Sequence, residues 1–240
     1  MTKNFGEQQK RDCLINCKIC DDVGFITCTD DKGYEVYKPC KCRQMAKVQR
    51  VWEQSGISVN DIDKTFTNFE TWNNEIKNMK DKTTSYYLQF ENIKVDRNNS
   101  ILLSGKSGCG KTHLSLALAN NLMKNKAVAV VYMPYRDTVT KIKQNMLDAE
   151  YYKKILSKYQ NADVLLIDDL CKGKVNDSDV NIMFEIINHR YLNHLPLIIS
   201  TEFDQRKLLD FDEAIGSRIY EMCKGYVAEI KGEGNNYRLR

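Results

Sequence analysis

Ser100-Ile101-Leu102-Leu103-Ser104 runs directly into Gly105-Lys106-Ser107-Gly108-Cys109-Gly110-Lys111-Thr112, and this stretch decides the fold. Its first part is a short apolar run without alternation, which suits a strand covered on both faces. The second part matches G-x-x-x-x-G-K-[ST] and opens a helical stretch. Glycines in such a loop let backbone N–H groups curl around phosphate oxygens, and the helix N-terminus adds partial positive charge. Lys111 is then placed to reach the β and γ phosphates of ATP, and the Thr112 hydroxyl to ligate Mg²⁺. The expected nucleotide-binding set is therefore residues 105–112 with the adjoining His113.

Outward from the loop, Ala127–Tyr132, Val164–Ile167 and Leu197–Ser200 are further short apolar runs, with a last strand over 225–231. Helical stretches over 111–126, 136–160 and 178–193 separate them. Strand-helix alternation of this kind predicts an α/β fold with a parallel sheet flanked by helices. The run Asp163-Val164-Leu165-Leu166-Ile167-Asp168-Asp169 delivers two carboxylates at a strand's C-terminal end, where open α/β sheets bind ligands. Asp168 is expected to hold Mg²⁺ and Asp169 to polarise the attacking water. The following strand ends Ile199-Ser200-Thr201-Glu202. In additional-strand P-loop ATPases, which this pattern resembles, that strand lies between the two motifs and carries a polar residue facing the γ-phosphate. That role would fall to Thr201 or Glu202; the bland alternative is a polar strand end.

Ahead of this core, residues 68–93 carry helical spacing, marked by Phe69, Trp72, Ile76, Met79, Tyr86, Tyr87 and Phe90. A shorter helix is expected over 42–52, closed by Ser55-Gly56. Residues 1–43 are polar and poor in aliphatics, yet hold six of the nine cysteines. With no secretory signal, clustered cysteines read as metal ligands rather than disulfides. Cys17-x-x-Cys20 and Cys40-x-Cys42 supply two thiolate pairs for a tetrahedral Zn²⁺ site, which would supply the folding energy this small module lacks. Cys13 and Cys28 are spare thiols that could substitute, and reduced structural cysteines are the alternative. The expected division is a cysteine-rich module at 1–50, a linker at 51–65 and an ATPase domain at 66–240.

Hydrophobic content of 42% and charged content of 28% are ordinary for a globular chain, and a net charge of +4 neither demands nor excludes nucleic acid. No run approaches the length of a membrane span, so a cytoplasmic location with no membrane partner is expected.

With these motifs placed, the chain resembles the DnaC/DnaI-type replicative helicase loaders, particularly those of phages and Gram-positive mobile elements. The carriers are the paired cysteines, Lys64-Thr65-Phe66-Thr67-Asn68-Phe69, the phosphate loop, Ala162–Leu170, and Asp212-Glu213-Ala214-Ile215-Gly216-Ser217-Arg218-Ile219. The resemblance implies an AAA+ ATPase that assembles as an oligomer on ATP and single-stranded DNA, with a replicative helicase as partner. It implies that Arg218 is an arginine finger reaching a neighbouring subunit's γ-phosphate; read without it, Arg218 is an ordinary helix arginine. Phe66 and Phe69 would line the adenine pocket, although two aromatics at i, i+3 also suit plain core. Glu202 departs from the family, whose strand often ends in Asn there. After strand 225–231 there is no room for a full helical lid, and Arg238 is the one late arginine available as a second sensor.

A transposition helper ATPase shares this core but usually lacks the cysteine-rich start. A small-molecule kinase would need an acceptor pocket and a mobile lid. An adaptor holding ATP only as a structural ligand would not need Lys111, Thr112, Asp168 and Asp169 intact. Lys141 and Lys143 are candidate DNA contacts, although a lysine pair on a helix is usually a solvated face.

Overall fold

The computed structural model describes residues 17–43, 45–46, 50, 61, 63–232 and 234–239. Cys13, most of the linker and part of the expected helix 42–52 lie outside them.

The cysteine-rich segment forms an antiparallel hairpin, β1 (Phe25–Thr29) with β2 (Glu35–Pro39). The rest is built on α1 (Asn74–Ile93), β3 (Ile101–Gly105), α2 (Lys111–Lys126), β4 (Val130–Pro134), α3 (Tyr135–Gln144), α4 (Ala149–Gln160) and β5 (Val164–Leu170). It continues with α5 (Asp177–Leu192), β6 (Leu197–Thr201), α6 (Gln205–Phe211), α7 (Glu213–Cys223) and β7 (Val227–Ile230). The five strands pair in parallel in the order β4-β5-β6-β3-β7. The strand from the phosphate loop and the strand bearing Asp168 are therefore not neighbours; β6 stands between them.

Successive residues of these strands feed opposite cores, which explains their unalternated apolar runs. Ile101, Leu103, Leu166 and Ile198 pack with α1 and α2 on one face. Leu102, Leu165, Ile167, Leu197 and Ile199 pack with α3, α4, α5 and α7 on the other. At the far end from the loop, Arg190 is 0% exposed. Its guanidinium donates to the carbonyls of Tyr159 (3.0 Å), Ala162 (2.9 Å) and Pro196 (2.7 Å), fastening the turns that lead into β5 and β6.

Several boundaries differ from the sequence expectation, each for a local reason. The helix expected from residue 68 begins at Asn74, because the Asn73 side chain accepts the Ile76 N–H as an N-cap. Phe69 and Trp72 thus belong to a non-helical lead-in. The single helix expected over 136–160 is two, since Asp148 caps α4 by accepting from Tyr151 N–H at 2.9 Å. Strand β4 starts late because Ala127 turns left-handed (φ 54°) at the end of α2. The α6–α7 pair escaped the periodicity reading. It is capped by Asp204 and Asp212, and the helices meet at Gly216, where a Cβ would lie 2.7 Å from the Leu208 carbonyl oxygen. After β7 comes a single 3-10 turn, Tyr237–Leu239, and among the described residues no helical lid follows. No helix among them is long and apolar enough to cross a membrane.

Candidate functional site

The phosphate loop leaves β3 and enters α2 through three glycines with positive φ: Gly105 (156°), Gly108 (82°) and Gly110 (91°). Two of them also permit close approach. A Cβ on Gly110 would come within 2.6 Å of the Phe69 ring, and one on Gly108 would overlap the Asn236 side chain. Lys111 is only 4% exposed, and its Nζ donates to the carbonyls of Gly105 (2.7 Å) and Lys106 (3.0 Å). The ammonium is thus held within the loop that a phosphate chain would thread. Cys109 is buried beneath the loop, and burial raises its thiol pKa. Its side chain belongs to the core beside α2.

Asp168 is 7% exposed at the end of β5 and accepts three hydroxyl hydrogen bonds. Thr112 donates to Oδ1 at 3.0 Å, Tyr132 to Oδ2 at 3.1 Å, and Ser200 to Oδ1. Burial raises its pKa, and the hydroxyls of Ser200 and Thr112 oppose that shift. Thr112 and Asp168 thereby converge as an oxygen pair suited to a hard divalent cation such as Mg²⁺. Asp169 is left-handed (φ 55°), where β5 slips register against β6 between Ile167 and Leu170. Its backbone N–H donates to Ser200 Oγ at 2.8 Å, and its carboxylate meets Lys172 Nζ at 2.6 Å.

These groups open on a cavity of about 620 Å³ lined by Ser107, Gly108, Lys111, Thr112 and Asp169, and on its other side by Phe69, Trp72, His113, Tyr237 and Arg238. Trp72 and Tyr237 lie with ring centroids 5.4 Å apart. The Tyr237 N–H donates to the Gly108 carbonyl at 3.0 Å, so the last described turn roofs the phosphate loop. His113 lines the same cavity. Its Nε2 lies 3.0 Å from Thr65 O and 3.1 Å from Asn68 Oδ1, pinning the lead-in to α2, and burial lowers its pKa. Asn120 holds the same lead-in by donating to the carbonyls of Asp61 and Lys64.

In the hairpin module, the Sγ atoms of Cys17, Cys20, Cys40 and Cys42 are all buried and lie within 4.8 Å of one another. Cys17–Cys40 is 3.8 Å and Cys20–Cys42 is 3.4 Å. Tetrahedral Zn²⁺ with Zn–S near 2.3 Å needs sulfur separations of about 3.8 Å, so the donor set fits zinc. The knuckle is shaped by left-handed Asp21, Asp22 and Gly24, and the Gly24 N–H donates to Cys20 Sγ at 3.3 Å. Cys17 is lowered to about 7, chiefly by the backbone N–H of Ile19, whereas burial raises Cys20. Cys28 turns instead to the Val36 carbonyl within the hairpin, away from the cluster.

Residues 42–240 match the family model of the IstB-like ATP binding proteins. The chain belongs to this family. Two curated relatives from Bacillus subtilis (strain 168) align almost end to end. Phage-like element PBSX protein XkdC is 38% identical across 97% of this chain and 88% of its own. Uncharacterized protein YqaM is 39% identical across 96% of this chain and 78% of its own. A crystal structure of the DnaC helicase loader superposes with a TM-score of 0.61 at 20% identity, covering 72% of this chain and all of that one, which shows a shared AAA+ fold.

The remaining residues singled out in the sequence take varied places in this member of the IstB-like family. Thr201 is fully buried, with its hydroxyl donating to the Leu170 carbonyl at 2.8 Å. Glu202 sits beyond the strand end, 3.9 Å from Lys172 Nζ. Phe66 packs toward Tyr87 with centroids 6.2 Å apart and is outside the cavity lining, which Phe69 joins. Arg218 is folded back on α7, donating to the Ala214 carbonyl at 2.8 Å. Its guanidinium lies 5.4 Å from the ring centres of both Phe184 and Tyr191, away from the cavity of its own chain. Lys143 is paired with Asp179 at 2.8 Å, whereas Lys141 is exposed. The sequence pattern does not mark Ser200, Tyr132 or Lys172 as site residues. The signal for Ser200 was its place one residue inside the end of the strand between the two motifs.

Proposed function

We propose that the chain is an ATP-dependent loader that binds a replicative helicase and delivers it onto single-stranded DNA. The observation that carries the ATPase half is the convergence of Lys111 and Thr112 from α2 with Asp169 from β5 on one cavity, with Asp168 hydrogen-bonded to Thr112 behind it. The loader half is supported by the four-thiol cluster ahead of that core, by the motif resemblance to DnaC/DnaI-type loaders, and by XkdC, a phage-like-element protein that aligns over nearly the whole chain.

In this reading Lys111 leaves the loop carbonyls to bind the β and γ phosphates, with the loop N–H groups alongside. Thr112 and Asp168 would hold Mg²⁺, which would supply charge screening for the phosphates. Asp169 orients a water whose oxygen bonds to the γ-phosphorus as the bond to the β,γ-bridging oxygen breaks, giving ADP and inorganic phosphate. Phe69, Trp72 and Tyr237 supply flat apolar surface for the base. Arg218, swung out from Phe184 and Tyr191, reaches the γ-phosphate of a neighbouring subunit. Arg238, which lines the cavity, is the candidate second sensor.

The work divides along the chain. Residues 1–50, stapled by Zn²⁺ on Cys17, Cys20, Cys40 and Cys42, grip the helicase across a linker at 51–65. Residues 66–240, with a lead-in anchored from Asp61, form the ATPase that lines up a phosphate-binding groove for DNA when ATP favours assembly. A transposition helper ATPase would share the core; the thiol cluster favours the loader. The test is a pull-down of full-length protein with the host or phage replicative helicase, with and without ATP. Retention through residues 1–50 is expected, and no retention of any replicative helicase would turn the reading toward transposition.

A further inference from the structure

Glu202 poses a chemical problem, because a carboxylate at the end of β6 repels the γ-phosphate it would be expected to sense. Lys172 supplies what that position lacks. Its Nζ lies 2.6 Å from Asp169 Oδ2 and 3.9 Å from Glu202 Oε1, and the residue lines the same cavity as Lys111 and Thr112. The loop bearing it is shaped to fold it back there. Asp169 (φ 55°), Cys171 (φ 63°) and Gly173 (φ 96°) are all left-handed, and the Lys172 N–H donates to the Asp169 carbonyl at 3.1 Å. Two non-glycine residues in that region carry a conformational cost that surrounding structure must offset, and such residues cluster at functional sites. Arg136 closes the loop from outside, since a Cβ on Gly173 would lie 2.4 Å from its guanidinium.

We infer that Lys172 is the γ-phosphate-sensing cation of this site, held in place by Glu202 and released from Asp169 when ATP is bound. Without the γ-phosphate, the ammonium occupies Asp169, and that carboxylate cannot serve a water. When the γ-phosphate arrives, the ammonium gains a more highly charged partner a short swing away. Asp169 is freed in the same motion, while Glu202 keeps the lysine from leaving toward solvent. The carboxylate at the strand end and the lysine three residues after Asp169 thus act as one unit. Lys172 is a positioning residue toward Asp169 and a binding residue toward ATP.

The inference rests on the nucleotide site proposed above, so the experiment separates the two. Affinities for ADP and for a non-hydrolysable ATP analogue, each with Mg²⁺, are measured by calorimetry on the full chain and on Lys172→Met, Lys172→Arg and Glu202→Gln. Lys172→Met should bind ADP within about twofold of the parent but lose about tenfold or more in affinity for the analogue, the scale of one charge-assisted hydrogen bond. Lys172→Arg should recover most of that loss, and Glu202→Gln should fall between. If the parent binds neither nucleotide, the nucleotide site itself fails. If the parent prefers the analogue and Lys172→Met keeps the same preference, Lys172 is only a surface partner of Asp169 and this inference is overturned. Equal weakening toward ADP and the analogue would overturn it too, by marking a general disturbance of the loop.

Discussion

Ser200 donates its hydroxyl to the carboxylate of Asp168 while accepting the backbone N–H of Asp169 at 2.8 Å, so one side chain of β6 positions both acids of β5. Replacing it with alanine removes a buried acceptor and a buried donor together. Ser200→Ala should lower unfolding free energy by about 1–3 kcal/mol, because the Asp169 N–H is left without its acceptor. Chemical denaturation checks the stability. Turnover of the folded variant should fall as Asp169 loosens. A variant as stable and as active as the parent would show that the acids are fixed by the backbone alone.

Lys111 and Asp169 should separate binding from chemistry. Lys111→Ala is expected to weaken ATP affinity tenfold or more, at about 1.4 kcal/mol per factor of ten. Asp169→Asn should not weaken ATP affinity and should mainly slow hydrolysis, since its carboxylate acts on the water. Binding and single-turnover measurements on both variants decide it. Equal losses of affinity would remove Asp169 from its assigned role.

The thiol cluster should carry one Zn²⁺ per chain, visible by native mass spectrometry. Cys17→Ser with Cys20→Ser should release the metal and unfold the hairpin, because its four sulfurs make most of its small core. Cys28→Ser should retain the metal, given the turn of that thiol toward Val36. A metal-free chain with a folded hairpin would end the assignment.

Arg218→Ala should leave ATP binding by the isolated chain intact and cut turnover in the assembled state, by up to the several powers of ten associated with arginine fingers. Mixing it with Lys111→Ala chains should restore activity at interfaces that pair an intact Arg218 with an intact Lys111. The present stowage between Phe184 and Tyr191 adds a second readout. Assembly should expose both rings to a new environment. Absence of complementation would assign Arg218 to packing.

The phosphate loop, the strand ending in Asp168 and the order of strands and helices were legible because each rests on local chemistry: glycine at a turn, unbroken apolar runs, acids at a strand end. The paired cysteines were legible for the same reason. Other features depend on contacts distant in sequence. Phe69 and Trp72 carry helical spacing but precede the helix, because the Asn73 cap outweighs the periodicity. Tyr132 reaches Asp168 only through the pairing of β4 with β5, in a register that no local pattern encodes. Glu202 stands out in the sequence as a departure, but its pairing with Lys172 depends on the left-handed turn at 169–173 that brings them together. Cys171 and Asp169 do not advertise that turn, since neither is glycine.

The placement of β6 between β3 and β5 has a consequence for the newborn chain. Synthesis delivers the phosphate loop and Asp168 first, yet their strands are not partners and cannot zip together on their own. They must wait, each with an open edge, until residues 197–201 emerge and slide between them. A nascent chain stalled on the ribosome before that point holds nearly every nucleotide-binding side chain and should still bind no ATP. The first uptake of nucleotide would therefore report that the central strand has been threaded, and the interval before it is when this protein is most exposed to wrong edge-to-edge pairing.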